Sequence, residues 1–316
     1  MHLLLTGVGG FVGSRLARLL LARGERVSGT FFEEEPRAPG VTLYEADLLD
    51  AAAMAAAVRA AAPDAVVHLA GLSHVGESWS RMAEYFRVNV LGTENLLAAA
   101  AGRRVVVASS AEVYGVVPES EQPIGEQRQL DPRTPYALTK AAAERLALGR
   151  GAVVARCFNL VGPGQSPRFA LPAFAAQLAA IARGEREPVL RVGNLSARRD
   201  FVHVDDGAEA YRLLAERGRP GEIYNLASGR AFSLAEALDR LVGIAAIAGV
   251  PARIEIDPER VRAVDLPLLA GDAGRLRALG WEARRSLGEA LADLWTAASG
   301  AAAATGADGG AERVSA

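Results

Sequence analysis

A glycine-rich turn between a short apolar run and an amphipathic segment opens the chain and constrains its fold more than any other feature. The apolar run covers residues 3–5, and the helical pattern covers residues 14–20. The turn residues that we assign to cofactor binding are Gly7, Gly10, Phe11 and Gly13. Glycines at this spacing let the backbone approach a pyrophosphate, which the N–H groups of a helix N-terminus attract. Alone the glycines are weak evidence, but the flanking strand and helix are typical of a mononucleotide-binding unit.

The first half of the chain alternates apolar runs with longer segments. The runs that we predict to be strands are residues 3–5, 27–31, 41–44, 65–69, 105–108 and 153–158. The segments between them are long enough for helices, and residues 79–97 carry apolar side chains at helical spacing from Trp79 to Leu97. This order predicts an α/β fold, a Rossmann-type doubly wound parallel sheet.

After about residue 160 the alternation loosens, and glycines and prolines interrupt the chain before two more strand-like runs. These two runs are residues 189–192 and 222–225. We assign residues 1–158, joined by residues 200–228, to the Rossmann domain, and the smaller α/β region to residues 159–199 and 229–297. Residues 298–316 are mostly Ala, Gly and small polar residues, which predicts a flexible tail.

Composition narrows the class of protein. The 35 Lys and Arg residues against 37 Asp and Glu give a net charge of −2, so we expect no nucleic-acid partner. One cysteine and four histidines far apart in sequence favour neither a disulfide nor a metal site. No apolar stretch approaches the length of a membrane span, and the N-terminus lacks a signal-peptide pattern. We therefore expect a cytoplasmic protein with no membrane partner.

Two polar patterns are candidates for catalysis. Tyr136 and Lys140 lie four apart in a segment with helical composition, so their side chains share a face. An ammonium beside a phenol can lower the phenol pKa and make it an acid or base near neutral pH, although such pairs are frequent by chance. Ser110 follows the fifth predicted strand, at the sheet edge where open α/β folds bind ligands, and its hydroxyl could orient a substrate oxygen.

The cofactor's adenosine end is less constrained by the sequence. Asp47 follows the third predicted strand and is either a contact for an adenine amino group or a solvated loop acid. The end of the second predicted strand lacks the Asp that usually binds a ribose 2′-hydroxyl. Arg15 and Arg37 could contact a 2′-phosphate, whereas Glu33 would favour NAD. The choice between NADP and NAD stays open.

Together, these patterns resemble the extended short-chain dehydrogenase/reductase family. The matching motifs are Thr6-Gly7-x-x-Gly10-Phe11-x-Gly13, His68-Leu69-Ala70-Gly71, Asn89-Val90-x-Gly92-Thr93, Ser110-x-x-Val113-Tyr114-Gly115 and Tyr136-x-x-x-Lys140. The resemblance covers residues 1 to about 297 and implies an NAD(P)-dependent enzyme of nucleotide-activated sugars. It implies further cofactor contacts from Asp47, Leu48, Leu69, Ala70 and Asn89.

The same resemblance assigns the catalytic roles. Tyr136 would exchange a proton with the sugar O4, Lys140 would hold Tyr136 and the nicotinamide ribose, and Ser110 would orient the oxygen. It also implies a homodimer formed by residues 78–100 and 135–148. We expect His68 to be a packed structural histidine and Cys157 to belong to the core.

Three segments resemble the GDP-mannose 4,6-dehydratase and GDP-4-dehydro-6-deoxy-D-mannose reductase group within this family. They are residues 72–79, 158–166 and 192–201. The resemblance implies that the smaller region binds a sugar nucleotide, favouring a GDP-linked one, through Ser73, Asn159, Val192, Asn194, Arg199 and Arg262. The proline that usually follows the last arginine is missing here, and Asp265 replaces a glutamate. Arg199 as an ion-pair partner of Asp200 or Asp205, and Asn159 as a turn cap, stay open alternatives.

The hydride chemistry alone does not separate a reductase from a dehydratase. Glu112 stands where dehydratases carry the carboxylate that removes the C5 proton, but similar reductases also have a glutamate there. Residue 111 is Ala rather than a hydroxyl or carboxylate residue, and the segment after the second strand lacks the dehydratases' Arg-Arg run. We therefore expect a reductase, with a 4,6-dehydratase or 4-epimerase as the alternative. A non-catalytic dinucleotide-binding regulator is more remote, since Ser110, Tyr136 and Lys140 are all present.

Overall fold

The computed structural model describes residues 1–258 and 266–307. Its strands are β1 (His2–Thr6), β2 (Arg26–Phe31), β3 (Thr42–Glu45), β4 (Ala65–His68), β5 (Arg104–Ser110), β6 (Val153–Cys157), β7 (Asn159–Val161), β8 (Val189–Val192), β9 (Arg198–His203), β10 (Ile223–Leu226), β11 (Ala231–Ser233), β12 (Arg253–Ile256) and β13 (Leu268–Leu269). Its helices are α1 (Phe11–Ala22), α2 (Ala51–Ala61), α3 (Met82–Phe86), α4 (Gly92–Ala99), α5 (Pro135–Gly149), α6 (Ala170–Ala182), α7 (Val204–Arg217), α8 (Leu234–Ile247), α9 (Gly274–Ala278) and α10 (Leu287–Ala307).

A seven-stranded sheet in the order β10-β6-β5-β4-β1-β2-β3 forms the centre of the fold. Every neighbouring pair in it is parallel. Because each strand returns through a crossover, all the strands end at the same edge. The strand order reverses next to β1, which is the point where doubly wound sheets bind ligands. The predicted Rossmann-type fold is confirmed.

Alternating side chains of the central strands pack against helices on both faces. Leu3 and Leu5 belong to the core shared with α1 and α7, which includes Leu16 and Leu214. Leu4, between them, belongs to the opposite core under α2 and α4. Burial on both faces explains why these strands read as continuous apolar runs in the sequence.

A second, smaller sheet joins β11, β9 and β13, with β7 also paired to β9. The chain passes from the central sheet into it between Cys157, the last residue of β6, and Asn159, the first of β7. Helices α6, α8 and α10 pack together in a separate core, and β8 pairs with β12 beside it. The second sheet therefore lies next to the carboxyl ends of the central strands.

Two predicted boundaries differ in the structure. The helical pattern predicted from Trp79 begins as a helix only at Met82, and Trp79 lies in a short 3₁₀ turn. Between α3 and α4, residues Arg87–Leu91 form a wider π-helical turn. Helix α10 continues to Ala307, into the stretch for which we predict a flexible tail. The domain division itself stays a prediction.

No helix in the described part of the chain is both long and apolar enough to span a bilayer.

Candidate active site

Ser110 and Tyr136 meet at the carboxyl edge of the central sheet. Ser110 is the last residue of β5 and pairs with Cys157 on β6. Tyr136 lies in the first turn of α5, which begins after Thr134 because the Thr134 hydroxyl accepts a hydrogen bond from the Ala137 N–H at 3.1 Å. The two side chains are buried and hydrogen-bonded to each other. The structure therefore brings together two of the three residues of the predicted triad.

Burial raises the pKa of Tyr136 well above its usual 10. The hydrogen bond from Ser110 opposes this shift, and the nearby negative charge of Glu112 adds to it. Desolvation of the phenol outweighs these influences, and the proposed lowering of this pKa by Lys140 stays a prediction. Tyr136 is therefore protonated at neutral pH and able to donate a proton.

Lys140, one turn further along α5, is half-buried in the same site. Burial lowers the pKa of its ammonium to about 8, while Cys157 and Glu144 oppose the shift. Cys157 packs against the core as expected, and its thiol also lies near the Lys140 ammonium. Burial raises the pKa of this thiol to about 12, so it is neutral near pH 7.

A buried ion pair that the sequence reasoning missed lies behind the triad. The Arg156 guanidinium donates hydrogen bonds to the Glu144 carboxylate, and it also donates to the Tyr114 hydroxyl at 3.0 Å. The Ser109 hydroxyl donates to the same carboxylate at 2.9 Å. Glu144 lies on the catalytic helix and Ser109 precedes Ser110, so the pair joins the two elements of the triad. The sequence feature that could have indicated this pair is the position of Arg156 inside the apolar run of residues 153–158.

The glycine turn has the geometry predicted for it. Gly7 has a φ of +67°, and a Cβ there would lie 3.0 Å from the Ala70 backbone. A Cβ at Gly13 would collide with the Gly7 carbonyl oxygen, so α1 packs directly on the turn. Gly10 precedes Phe11, the first residue of α1. These close approaches require glycine and leave the helix N-terminus open.

The other predicted cofactor residues lie around this turn. The Leu69 and Ala70 N–H groups donate to the Thr6 hydroxyl at 3.2 Å, which holds the end of β4 beside the turn. Asp47 accepts a hydrogen bond from the Leu49 N–H at 2.9 Å, and Leu48 is buried against Gly92. The Asn89 side chain is buried and hydrogen-bonded within the protein.

A cavity of about 840 Å³ opens beside the glycine turn, and we refer to it as the glycine-loop cavity. It includes Gly7 and Gly10, but not Phe11 or Gly13. Its charged lining residues are Arg18, Glu34, Glu35 and Arg37. Of the two predicted phosphate contacts, Arg37 lines this cavity, whereas Arg15 donates to the Pro163 carbonyl oxygen at 2.9 Å and pairs with Asp205. Glu33 does not line it.

A second cavity of about 420 Å³ is lined by the loop after β4 and by the smaller region, and we name it the Arg199 cavity. The predicted substrate residues that line it are Asn159, Val192, Asn194 and Arg199. Ser73 does not line it, although its neighbour His74 does. Arg168, which the sequence reasoning missed, adds a further cation to the wall. The cavity is therefore lined by amides and guanidinium groups suited to an anion.

Arg199 is buried, and its guanidinium donates to the carbonyl oxygens of Arg198 and Leu266 at 3.0 and 2.6 Å. Asp200 points elsewhere and accepts hydrogen bonds from Ser228 and Gly229, so it is not the ion-pair partner considered above. Arg262 lies outside the described residues. Within the described ranges, no group of three or more His, Cys, Asp and Glu side chains could hold a metal ion.

Residues 4–294 match the model of the GDP-mannose 4,6 dehydratase family. The chain belongs to this family. It is 35% identical over 301 residues to the GDP-6-deoxy-D-mannose reductase of Pseudomonas aeruginosa, an alignment that covers 92% of this chain and 94% of that protein.

Two solved structures extend the comparison. The structure of RMD from Pseudomonas aeruginosa complexed with NADPH is 33% identical with a TM-score of 0.80, covering 95% of this chain and 99% of that one. The Thermus thermophilus UDP-glucose 4-epimerase in complex with NAD is 30% identical with a TM-score of 0.84, covering 95% and 100%. The predicted enzyme class, the NAD(P)-dependent sugar-nucleotide oxidoreductases of the extended short-chain dehydrogenase/reductase family, is confirmed.

Proposed function

We propose that this protein is an NAD(P)H-dependent reductase of a nucleotide-activated 4-keto-6-deoxy sugar, with a GDP-linked sugar as the favoured substrate. The observation that carries this proposal is the Tyr136 hydroxyl, buried and hydrogen-bonded to Ser110 at the carboxyl edge of the sheet, because reduction of a ketone needs a proton donor at the oxygen. The similarity to the Pseudomonas reductase over nearly the whole chain supports the same reaction.

The residues of the site divide the reaction between them. A bound NAD(P)H would supply the hydride that the sugar C4 takes up. Tyr136 donates its phenolic proton to O4 as the alkoxide forms, and Ser110 orients that oxygen through its hydroxyl. Lys140 stabilises the tyrosinate that remains, since its ammonium is one helical turn away. Glu112 takes no part in this scheme.

The sugar's diphosphate is assigned to the Arg199 cavity. Asn159, Asn194 and Arg199 line it, and Asn159 follows Cys157, the strand neighbour of Ser110, by two residues. A diphosphate there would leave the sugar directed towards the catalytic edge. We also assign a diphosphate contact to Arg262, and a sugar-side contact to Ser73 from the exposed loop after β4.

The 4,6-dehydratase remains the second candidate because Glu112 lies close enough to Tyr136 for its charge to raise that pKa. A dehydratase would use this carboxylate to remove the C5 proton. Incubation with GDP-mannose and oxidised cofactor, followed by mass spectrometry, separates the two functions. A reductase forms no product in this mixture. A dehydratase forms a product about 18 Da lighter than the substrate, the mass of one water, and the Glu112→Gln variant no longer forms that product.

The matching arm of this experiment supplies a ready-made GDP-4-keto-6-deoxy sugar and reduced cofactor. We expect ketone reduction by the wild type and a substantial part of that rate in Glu112→Gln, since the amide preserves the side chain's outline and loses only its charge. Absence of reduction by the wild type, together with a dehydrated product in the first arm, would overturn the reductase.

We infer that the cofactor preferred is NADP(H). Arg18 and Arg37 line the glycine-loop cavity, and Arg37 makes no hydrogen bond or ion pair with any described residue. A guanidinium without a partner is suited to a 2′-phosphate. Glu34 and Glu35 line the same cavity, and their negative charges oppose this preference. We therefore assign the discrimination between NADPH and NADH to Arg37.

We also propose a homodimer through the helices α3, α4 and α5. The exposed large apolar residues on these segments and the turn before them are Trp79, Met82, Phe86, Leu91 and Leu138. A second copy of the chain would bury them. Light scattering should show a dimer for the wild type and a monomer for the double variant Met82→Glu and Leu138→Glu. Ile256→Glu, at a more exposed apolar site on β12, should stay dimeric.

A further inference from the structure

A series of buried hydrogen bonds, joined at one point through the Asn89 residue itself, connects the glycine turn to the catalytic helix. It begins at Thr6, the last residue of β1, and passes through His68 at the end of β4 and Thr93 in α4. The Thr93 hydroxyl bonds the Asn89 main-chain carbonyl, and the Asn89 side-chain amide bonds Thr139, whose hydroxyl reaches the Tyr136 carbonyl oxygen. The five side chains of this series are all buried.

The direction of each bond around His68 follows from its neighbours. The Thr6 hydroxyl accepts from the Leu69 and Ala70 N–H groups, so its own proton is left to donate to His68 Nδ1 at 2.7 Å. The Thr93 hydroxyl donates to the Asn89 carbonyl oxygen at 2.6 Å, so it must accept from His68 Nε2–H at 3.0 Å. His68 is therefore neutral with its proton on Nε2.

The lowered pKa of His68, about 3, agrees with this assignment. Desolvation is its largest cause, and the positive charge of Lys140 adds to it. A neutral imidazole at every physiological pH keeps both bonds in place, since protonation of Nδ1 would break the bond that Thr6 donates.

The second half of the series fixes the catalytic helix. Asn89 lies in the π-helical turn, and its amide donates to the Leu72 carbonyl at 3.0 Å and to the Thr139 hydroxyl at 3.0 Å. The Thr139 hydroxyl in turn donates to the Tyr136 carbonyl at 2.7 Å. Asn89 thus joins the loop after β4 to the catalytic helix, so a displacement at one end of the series is passed to the other.

We propose that His68 and Thr93 are positioning residues, which hold the glycine turn and the Tyr136 helix in one fixed relationship and so align dinucleotide and proton donor. This inference rests on the proposed reductase function. Its physical basis is that a misplacement of about 1 Å between reacting groups is enough to lower a rate by about 10²-fold.

The test compares Thr93→Val, which keeps the side chain's volume but removes the hydroxyl, with Thr93→Ser, which restores the hydroxyl. We expect Thr93→Val to lower kcat for ketone reduction by about 10-fold or more and to weaken NADPH binding several-fold, with Thr93→Ser within about 3-fold of wild type. Ser28→Ala is the control, because it removes another buried hydroxyl bonded to a histidine, His2, at the opposite end of the sheet.

A merely structural role for Thr93 would lower Tm while leaving kcat and the NADPH Kd of the folded protein within about 2-fold of wild type, and that result would overturn the proposal. If Thr93→Val does not fold, the same comparison is made with Thr139→Val and Thr139→Ser, further along the chain. The NADPH Kd from fluorescence titration needs no turnover, so it tests the inference even if the wild type reduces no ketone.

Discussion

Glu144 on the catalytic helix and Arg156 on β6 form a buried ion pair, with both side chains almost completely removed from solvent. Each partner has further hydrogen bonds, Glu144 with Ser109 and Arg156 with Tyr114 and the Glu126 carbonyl. A buried ion pair whose polar atoms are all hydrogen-bonded fixes the relative position of its elements, but it adds little to the net free energy of folding. Here it fixes α5 relative to β6, and the Ser109 hydroxyl ties β5 to the same carboxylate.

Glu144→Ala should therefore destabilise the protein by about 3–5 kcal/mol, because it leaves the Arg156 charge buried without a partner. Urea unfolding measures this change. Glu185→Ala, which removes the carboxylate of an exposed pair with Arg183, is the control and should leave the midpoint unchanged. Equal midpoints for the two variants would mean that water or another group compensates Arg156.

Tyr136→Phe should lower kcat for ketone reduction by about 10²-fold or more, because the ring remains but the proton donor is lost. The NADPH Kd should change little. Tyr224→Phe removes a hydroxyl that bonds the Arg219 N–H at the edge strand β10, and it should keep the wild-type rate. Turnover of Tyr136→Phe within a few-fold of wild type would contradict the assignment of this residue.

The lowered pKa of Lys140 predicts a pH dependence of cofactor binding. With a pKa of about 8 instead of 10.5, the ammonium is present below pH 8 and lost above it. NADPH affinity should therefore fall as the pH rises through 8, since the neutral amine no longer attracts the dinucleotide. Lys140→Met should bind more weakly at pH 7 and lack this step in a fluorescence titration. A step retained in Lys140→Met would belong to another group.

Arg199 and Arg262 should each contribute a charge-assisted hydrogen bond of roughly 1.5–3 kcal/mol to the diphosphate. Truncation of either to Ala should raise the KM for the sugar nucleotide by about 10-fold or more and leave the NADPH Kd unchanged. Arg183→Ala, at the end of α6 and paired with Glu185, is a control of equal charge change. Unchanged KM in both variants would place the diphosphate elsewhere.

Arg37→Ala should weaken NADPH binding by about 10-fold and NADH binding hardly at all, because only NADPH carries the 2′-phosphate. Fluorescence titrations with both dinucleotides give the ratio of the NADH and NADPH dissociation constants directly. Arg15→Ala, whose guanidinium contacts Pro163 and Asp205 instead, should leave that ratio unchanged. Wild-type protein that binds NADH more tightly than NADPH would overturn the preference.

The central sheet was predictable because its strands are buried on both faces and read as apolar runs. The second sheet was not, since its strands contain two to six residues and its central strand β9 includes Arg198, Arg199 and Asp200. Tertiary pairing, which no local pattern encodes, decides that these charged residues form a strand.

The site was predictable in its residue types but not in its electrostatics. Motifs indicated Ser110, Tyr136 and Lys140, and the first two are hydrogen-bonded. The direction of the Tyr136 pKa shift depends on how deeply the phenol is buried, which helical spacing cannot report. The roles of Glu144 and Arg156 likewise depend on a contact between a helix and a strand, 12 residues apart in the chain.

Asp200 is completely buried, and its carboxylate accepts hydrogen bonds from the Ser228 and Gly229 N–H groups and from that of Gly271. This one side chain of the second sheet is therefore hydrogen-bonded to two separate segments. They are the loop that follows β10 of the central sheet and the segment at Gly271, more than forty residues further along the chain. We therefore expect β9, the loop after β10 and the Gly271 segment to unfold together, because the buried carboxylate would lose donors if any one of them left.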